Sequence, residues 1–515
     1  MTDSRLELYT SITPSDVQKS IMRDGFNVFI HYGINTFCNK EWSDGSLPAS
    51  AFNPTSQNTD EWIQIIKSAG AKGVILTCKH HDGFCLWQTD TTDYGVKSSP
   101  YKGGKGDVVQ EVSDSCRKYG LKFGVYLSPW DRNSPTYGTD SYNDFYIAQL
   151  TELLTRYGKI FCVWLDGACG SYLDGKPKQV YDFKRYYDTI RALQPDCCIS
   201  NCGPDVRWVG NEAGCARESE WNVVPSFSFD IQTIEDNSQQ SDDDASRLKG
   251  IDIVAQDLGS RQVLSRYDKF IWYPAEVDVS IRPGWFYHKS QNMSVRSLDN
   301  LLYIWYNSVG GNSLLLLNVP PDTRGRIHGA DADRLAKIGK TLRKHFSKPI
   351  NCAYEVGDCA IDNPASNLVC DDDSYCTVND ISDTYTVMMT LDKEETVDKV
   401  VLKEQCDFSQ RIENAYIEVL KGKKWVKVCN VTTVGFCRIA TFKPVKCSAI
   451  RLTITSCRLQ PYLSYVMPYA YNGKVPRAPW YRNIVAFFHK INYAIYIARE
   501  NRHKQRLERK NKKQA

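Results

Sequence analysis

From residue 27 to about residue 320, short apolar runs alternate with segments whose apolar positions recur every three to four residues. The runs at 27–31, 73–78, 122–127, 160–166, 196–200, 221–225, 269–274 and 314–318 predict strands. Thr59–Ala69, Asp107–Tyr119, Tyr142–Tyr157 and Val180–Leu193 predict amphipathic helices between them. Strand–helix repetition implies a parallel sheet with helices outside it. About eight strands over some 300 residues suit a closed (β/α)8-like barrel. An open doubly wound sheet is the alternative, but it calls for a glycine-rich phosphate loop directly after a strand. Gly103-Gly104-Lys105-Gly106-Asp107 instead precedes a helix, and reads as a turn and cap. Ala330–Phe346 predicts a last helix.

After Pro349 the helical period disappears. Runs rich in β-branched and aromatic residues at 384–391, 397–403, 414–420, 424–429, 437–442 and 448–455 are separated by turn residues, and predict a β-sandwich. The expected organisation is therefore α/β plus all-β: a barrel over 1–348, a sandwich over 349–470 and a short basic helical tail over 471–515. In the tail, Ile484, Phe487, Phe488, Ile491 and Ile495 share one helical face, and Arg502–Lys513 is mostly charged. The main expectation is a helix packed on the body with a solvated end. A surface helix touching an anionic membrane or polymer is the lesser one.

Charge sharpens this picture. Residues 481–515 carry a net +8, which leaves the rest of the +4 chain mildly acidic and no evident nucleic-acid binder. The start, Met1–Tyr9, has neither the basic nor the apolar region of a secretory signal. The 19 cysteines are odd in number and scattered, several of them (Cys78, Cys162, Cys198) inside apolar runs. Free thiols in that number fit a reducing compartment, so a cytoplasmic location is expected.

The candidate chemistry sits where apolar runs end. Phe161-Cys-Val-Trp-Leu-Asp166-Gly167 is a buried strand ending on a carboxylate. Asn27–Gly33 ends in His31, and Gly73–Gly83 ends in Lys79-His80-His81-Asp82. The C-terminal mouth of such a barrel is where its catalytic groups gather. An Asp before Gly is also an ordinary turn former, and a strand-end His is often structural. Three imidazoles admit a metal site, but adjacent histidines point to opposite faces and chelate poorly, so no metal or other cofactor is expected.

These motifs resemble the α-L-fucosidases of glycoside hydrolase family 29. The resemblance is carried by Phe29-Ile-His31-Tyr-Gly33, Glu41-Trp42, Lys79-His80-His81-Asp82-Gly83-Phe84, Gly124-Val-Tyr126-Leu-Ser128 and Val163-Trp-Leu-Asp166-Gly167, in order from about residue 20 to 345. The run Val401–Tyr416 resembles the family's accessory sandwich. The resemblance implies a retaining mechanism with Asp166 as nucleophile. Arg207–Gly214 resembles the branch specific for α-1,3 and α-1,4 linkages, which implies Glu212 as acid/base, with Glu218 and Glu276 as rivals. It also implies a fucose pocket lined by His31, Glu41, Trp42, His80, His81, Tyr126, Arg282 and Trp285. Arg282 is expected either to hydrogen-bond the nucleophile or to form a structural ion pair. Tyr32, where the family often has tryptophan, is expected in the pocket wall, and Glu276 and His288 near a neighbouring sugar. The expected partner is a fucosylated oligosaccharide or glycoconjugate. The competing readings are a broader α-1,2/1,6-fucosidase and a catalytically silent fucose-binding protein.

Overall fold

Every residue of Phe26–Ile30 (β1) and Gly73–Lys79 (β2) is buried. Burial on both faces suits a strand with a packed interior on one side and helices on the other. A computed structural model describes residues 4–169, 178–226 and 257–476. In it β1 and β2 belong to a ring of parallel strands with Lys122–Leu127 (β3), Cys162–Leu165 (β4), Cys198–Asn201 (β5), Arg207–Trp208 (β6), Ala275–Ser280 (β9) and Leu314–Asn318 (β10). The order is β5-β4-β3-β2-β1-β10-β9-β6. A parallel bridge between Ser200 and Val206 nearly closes the ring from β5 to β6. The interior is filled by Phe29, Ile75, Tyr126, Cys162, Trp164, Cys198, Leu314 and Leu316.

The helices that wrap the barrel start where the sequence provides caps. Asn58 accepts from Glu61 N ahead of Thr59–Ala69, and Asp107 accepts from Gln110 N ahead of Val108–Tyr119. The glycine-rich run before Asp107 is a 3-10 turn with Gly103 and Gly104 at positive φ, so it is the turn and cap its composition implied.

Two expected barrel strands lie elsewhere. Val223–Pro225 (β7) and Phe270–Trp272 (β8) pair antiparallel with each other in a separate ribbon. The barrel takes β6 and β9 in their place. A two-residue strand shows no period. In β9, Glu276, Asp278 and Ser280 are buried polar residues, so the strand lacks a long apolar run.

The second domain comprises Cys352–Val356 (β11), Tyr385–Glu404 (β12), Ile412–Lys421 (β13), Lys424–Val431 (β14), Arg438–Cys457 (β15) and Leu463–Ala470 (β16), all antiparallel. The predicted pairs 384–391/397–403 and 437–442/448–455 are each one 20-residue strand. Register shifts between Thr390 and Glu395 and between Val397 and Lys399 interrupt the β12–β15 ladder. One part of β12 joins β11 and the other joins β16, around a core that includes Val387, Met389, Val400, Ile417 and Leu452. The two domains meet through a main-chain bond, Ile439 N to Gly310 O at 2.9 Å, and a main-chain to side-chain bond, Phe436 N to Asn312 Oδ1 at 2.8 Å. The tail helix expected around 484–495 lies outside the described residues.

Candidate active site

His31 follows β1, His80 and His81 follow β2, Ser128 follows β3, Asp166 follows β4 and Asn318 ends β10, so all of them lie at the C-terminal mouth of the barrel. Asp166 is gripped by fixed donors. Tyr126 Oη donates to its Oδ2 at 2.9 Å and Ala168 N to its Oδ1 at 2.8 Å. Burial, followed by the charge of Asp166, pushes the Tyr126 phenol well above its ordinary pKa, so it remains a donor.

Burial disfavours the charged form of the three strand-end imidazoles, His31, His80 and His81. It lowers His31 to about 3 and takes His80 well down; it lowers His81 as well. Their surroundings also set two tautomers. Asn318 Nδ2 donates to Ser280 Oγ and Trp285 O, so its Oδ1 accepts from His31 Nδ1–H at 2.9 Å. Ser128 Oγ donates to Trp130 O at 2.7 Å, so it accepts from His81 Nδ1–H at 2.7 Å. Each ring keeps a lone pair on Nε2. That of His81 stands 3.9 Å from Asp166 Oδ2, two neighbouring acceptors of which one hydroxyl can donate to either. His80 packs 4.1 Å from the His81 ring and 4.9 Å from that of Phe286.

The opposite wall comes from distant segments. Trp285 N donates to Glu41 Oε2 at 2.8 Å, and His288 bridges Glu41 Oε1 at 2.5 Å and Asn39 Oδ1 at 2.8 Å. The Trp285 ring lies 5.0 Å from His31, and exposed Trp42 lies 5.7 Å from His81. Trp285 Nε1 donates to Glu212 Oε2 at 3.3 Å. Glu212 stands exposed on its loop, yet desolvation by nearby protein atoms raises its carboxyl pKa, and the charges of Asp166 and Glu41 add to the rise.

The structure thus brings together His31, Glu41, Trp42, His80, His81, Tyr126, Asp166, Glu212 and Trp285. It corrects Arg282 and Tyr32. Arg282 is fully buried, donates from Nε to Asp331 Oδ2 at 2.8 Å and from Nη1 to Asn292 Oδ1 at 3.0 Å, and covers the Tyr287 ring. It is the structural ion pair, and Tyr126 and Ala168 supply the donors to Asp166. Tyr32 packs on Phe37, Phe52 and Trp62, between the barrel and its helices, because its phenol reaches Gln57 there. Of the rival acids, Glu276 accepts from Trp164 Nε1 and Ser200 Oγ within the barrel, where burial raises it to about 7. Glu218 lies at the domain junction, its carbonyl held by Thr432 and Arg438. Sequence reasoning missed the supporting roles of Asn318, Ser128 and Trp130. A strand-end Asn or Ser near the histidines was the available signal.

At the N-terminal end of the barrel a cavity of about 550 Å³ is lined by Ile21, Phe123, Phe161 and the paired Asp24 and Lys122. It lacks the histidine–carboxylate couple found at the other end.

Known proteins match this chain over most of its length. The family model described as alpha-L-fucosidase covers residues 11–346. Alpha-L-fucosidase 1 of Arabidopsis thaliana is 37% identical over 88% of this chain and 86% of its own. The structure of a glycoside hydrolase 29 family member from an unknown rumen bacterium is 33% identical, covers 91% of this chain and 78% of that one, and has a TM-score of 0.74. A Ruminococcus gnavus GH29 fucosidase in complex with fucose is 28% identical over 91% of this chain and 96% of its own, with a TM-score of 0.78.

Proposed function

We propose a retaining mechanism and a preference for α-1,3/1,4-linked fucose in branched glycans for this chain, which belongs to the α-L-fucosidases of glycoside hydrolase family 29. In this reading the Asp166 carboxylate attacks the anomeric carbon of a terminal fucose while the Glu212 carboxylic acid protonates the departing glycosidic oxygen. The ionised Glu212 then takes a proton from water, which attacks the fucosyl-enzyme and releases fucose with its configuration retained.

The observation that carries the assignment is the contrast between the two carboxyls. Asp166 receives two fixed hydrogen bonds, which hold the carboxylate in place and aim it. Glu212 has one long bond from Trp285 and a raised pKa to which Asp166 contributes, as a general acid requires. The free lone pairs of His31 and His81 suit hydroxyl donors, and the relative that holds fucose in its structure supports that sugar as the one bound. The linkage preference rests on the resemblance of Arg207–Gly214 to the branch-specific enzymes.

The test is fucose release from a Lewis-type trisaccharide by wild type, Asp166→Asn and Glu212→Gln, with the first-formed anomer read by NMR. Both variants should lose several orders of magnitude, and azide should restore turnover of an activated fucoside by Glu212→Gln. Inversion at the anomeric carbon would refute the double displacement. Equal rates on the same substrate without its galactose branch would refute the linkage preference.

A further inference from the structure

The second domain holds two thiols that glycoside cleavage does not use. Residues 358–360 run antiparallel to 376–379, with Cys359 bridged to Val378 and bonds of 3.0 Å from Ala360 N to Thr377 O and from Asn379 N to Asp358 O. Cys376 is pinned from its other side, exchanging main-chain bonds of 2.8 and 3.0 Å with Leu463 of β16. Across this ladder the Sγ atoms of Cys359 and Cys376 lie 3.4 Å apart, with seventeen residues of sequence separation. Cys359 is partly exposed and Cys376 is buried. One thiol is therefore open to a reagent, and the second is held in contact behind it. Cys162 and Cys198 also face each other in the β4–β5 ladder, but both are sealed inside the barrel.

The loop between Cys359 and Cys376 is docked at its C-terminal end. Asp371 pairs with Lys403 at 2.5 Å, Asp373 pairs with Arg23, and the Tyr375 ring lies 4.9 Å from that of Phe408. Arg23 belongs to the helix Asp16–Asp24, which lines the cavity at the barrel end opposite the active site. A link at the base of this loop would clamp it without touching the catalytic residues.

We infer that Cys359 and Cys376 form a reversible disulfide site whose co-reactant is a low-molecular-weight disulfide of the glutathione type. The Cys359 thiolate attacks one sulfur of R–S–S–R, forming Cys359–S–S–R and releasing one thiolate. Cys376 then attacks the Cys359 sulfur, forming the protein disulfide and releasing the second thiolate. Two protein thiols are oxidised, one R–S–S–R is reduced to two R–SH, and the two thiol protons end on those products. Closing the loop restricts the unfolded chain, so the oxidised form is the more stable one.

The experiment treats the full reduced chain with glutathione disulfide, blocks the remaining thiols with an alkylating reagent and maps the peptides by mass spectrometry. The expected result is a linked peptide pair containing Cys359 and Cys376 and a melting temperature raised on the order of 5 °C. Dithiothreitol should reverse both, and aryl-fucosidase activity should not change. Cys376→Ser should accumulate the glutathione adduct on Cys359. Cys359→Ser, a change at a partly exposed site, should give neither link nor adduct on Cys376. Alkylation of both thiols after treatment, or a link through other cysteines, overturns the site. A complete Cys359–Cys376 link without a rise in melting temperature overturns its stabilising effect.

Discussion

Breaking the Arg282–Asp331 pair tests whether the arginine beside the active-site loop acts on the sugar or on the scaffold. Both side chains are fully buried, and the Nε–Oδ2 distance is 2.8 Å. Asp331 lies in the first turn of the helix Gly329–His345, while Arg282 precedes the loop that carries Trp285 and His288. Asp331→Ala leaves the guanidinium buried with Asn292 as its remaining acceptor, which should cost about 3–5 kcal/mol and lower the melting temperature by roughly 5–10 °C. Replacing both partners with apolar residues of similar volume, Arg282→Met with Asp331→Leu, removes the orphaned charge and should recover most of that loss. The assays are urea unfolding and kcat/KM on a Lewis-type trisaccharide at a temperature where every variant is folded. If Arg282 is structural, the double variant keeps kcat/KM within roughly threefold, under about 0.7 kcal/mol of transition-state stabilisation. A double variant that folds normally but loses about 100-fold, some 2.7 kcal/mol, would show that Arg282 acts on substrate or nucleophile and would refute the structural assignment.

Ser128→Ala removes the acceptor that fixes the His81 tautomer, and should lower kcat/KM about tenfold, the value of roughly one hydrogen bond, with little change in melting temperature; unchanged kinetics would count against that tautomer. Trp285→Phe removes the N–H that lowers the Glu212 pKa, so the basic limb of the kcat/KM–pH profile should move to higher pH; a downward move would argue against Glu212 as the acid. Glu276 has its pKa raised by burial to about 7 from 4.5, so between those values the native state holds a proton that the unfolded state has lost, and stability falls as pH rises. Glu276→Gln should therefore gain stability at pH 8 relative to wild type, by about 3 kcal/mol more than at pH 4; parallel urea midpoints at the two pH values would contradict this.

The barrel was legible where burial on both faces leaves a continuous apolar run. The expected β3 and β10 spans agree with the structure, and β2 differs by one residue. It was illegible at β9, whose acids are accommodated by indoles from elsewhere, Trp164 on Glu276 and Trp208 on Asp278. The strand-end histidines and Asp166 could be found because polar groups terminating apolar runs stand out locally. Their supports could not, because the information is not local. Glu41 and Trp285 are 244 residues apart, His31 and Asn318 are 287 apart, and the ion-pair partner of Arg282 is 49 residues away.

Those long-range ties also identify the substitution that should separate binding from folding. Gly284 packs against Glu41, and a Cβ there would lie 2.9 Å from Glu41 Cδ and closer still to Oε1. Its φ is outside the left-handed region, so Gly284→Ala introduces no backbone strain, and the conflict falls first on the Glu41 carboxylate and then on Gln291 Nε2 at 3.1 Å. That carboxylate is the end of a flexible, partly exposed side chain and can swing aside at little cost in stability. In doing so it releases Trp285 N and His288, the contacts that hold one wall of the pocket. Gly284→Ala should therefore lower the melting temperature by no more than about 6 °C, the effect of roughly two lost, partly buried hydrogen bonds, while raising KM about tenfold. A variant with wild-type KM would show that sugar binding does not depend on where Glu41 sits. One that fails to fold would show that the tie between Glu41 and the 284–288 loop supports the barrel itself.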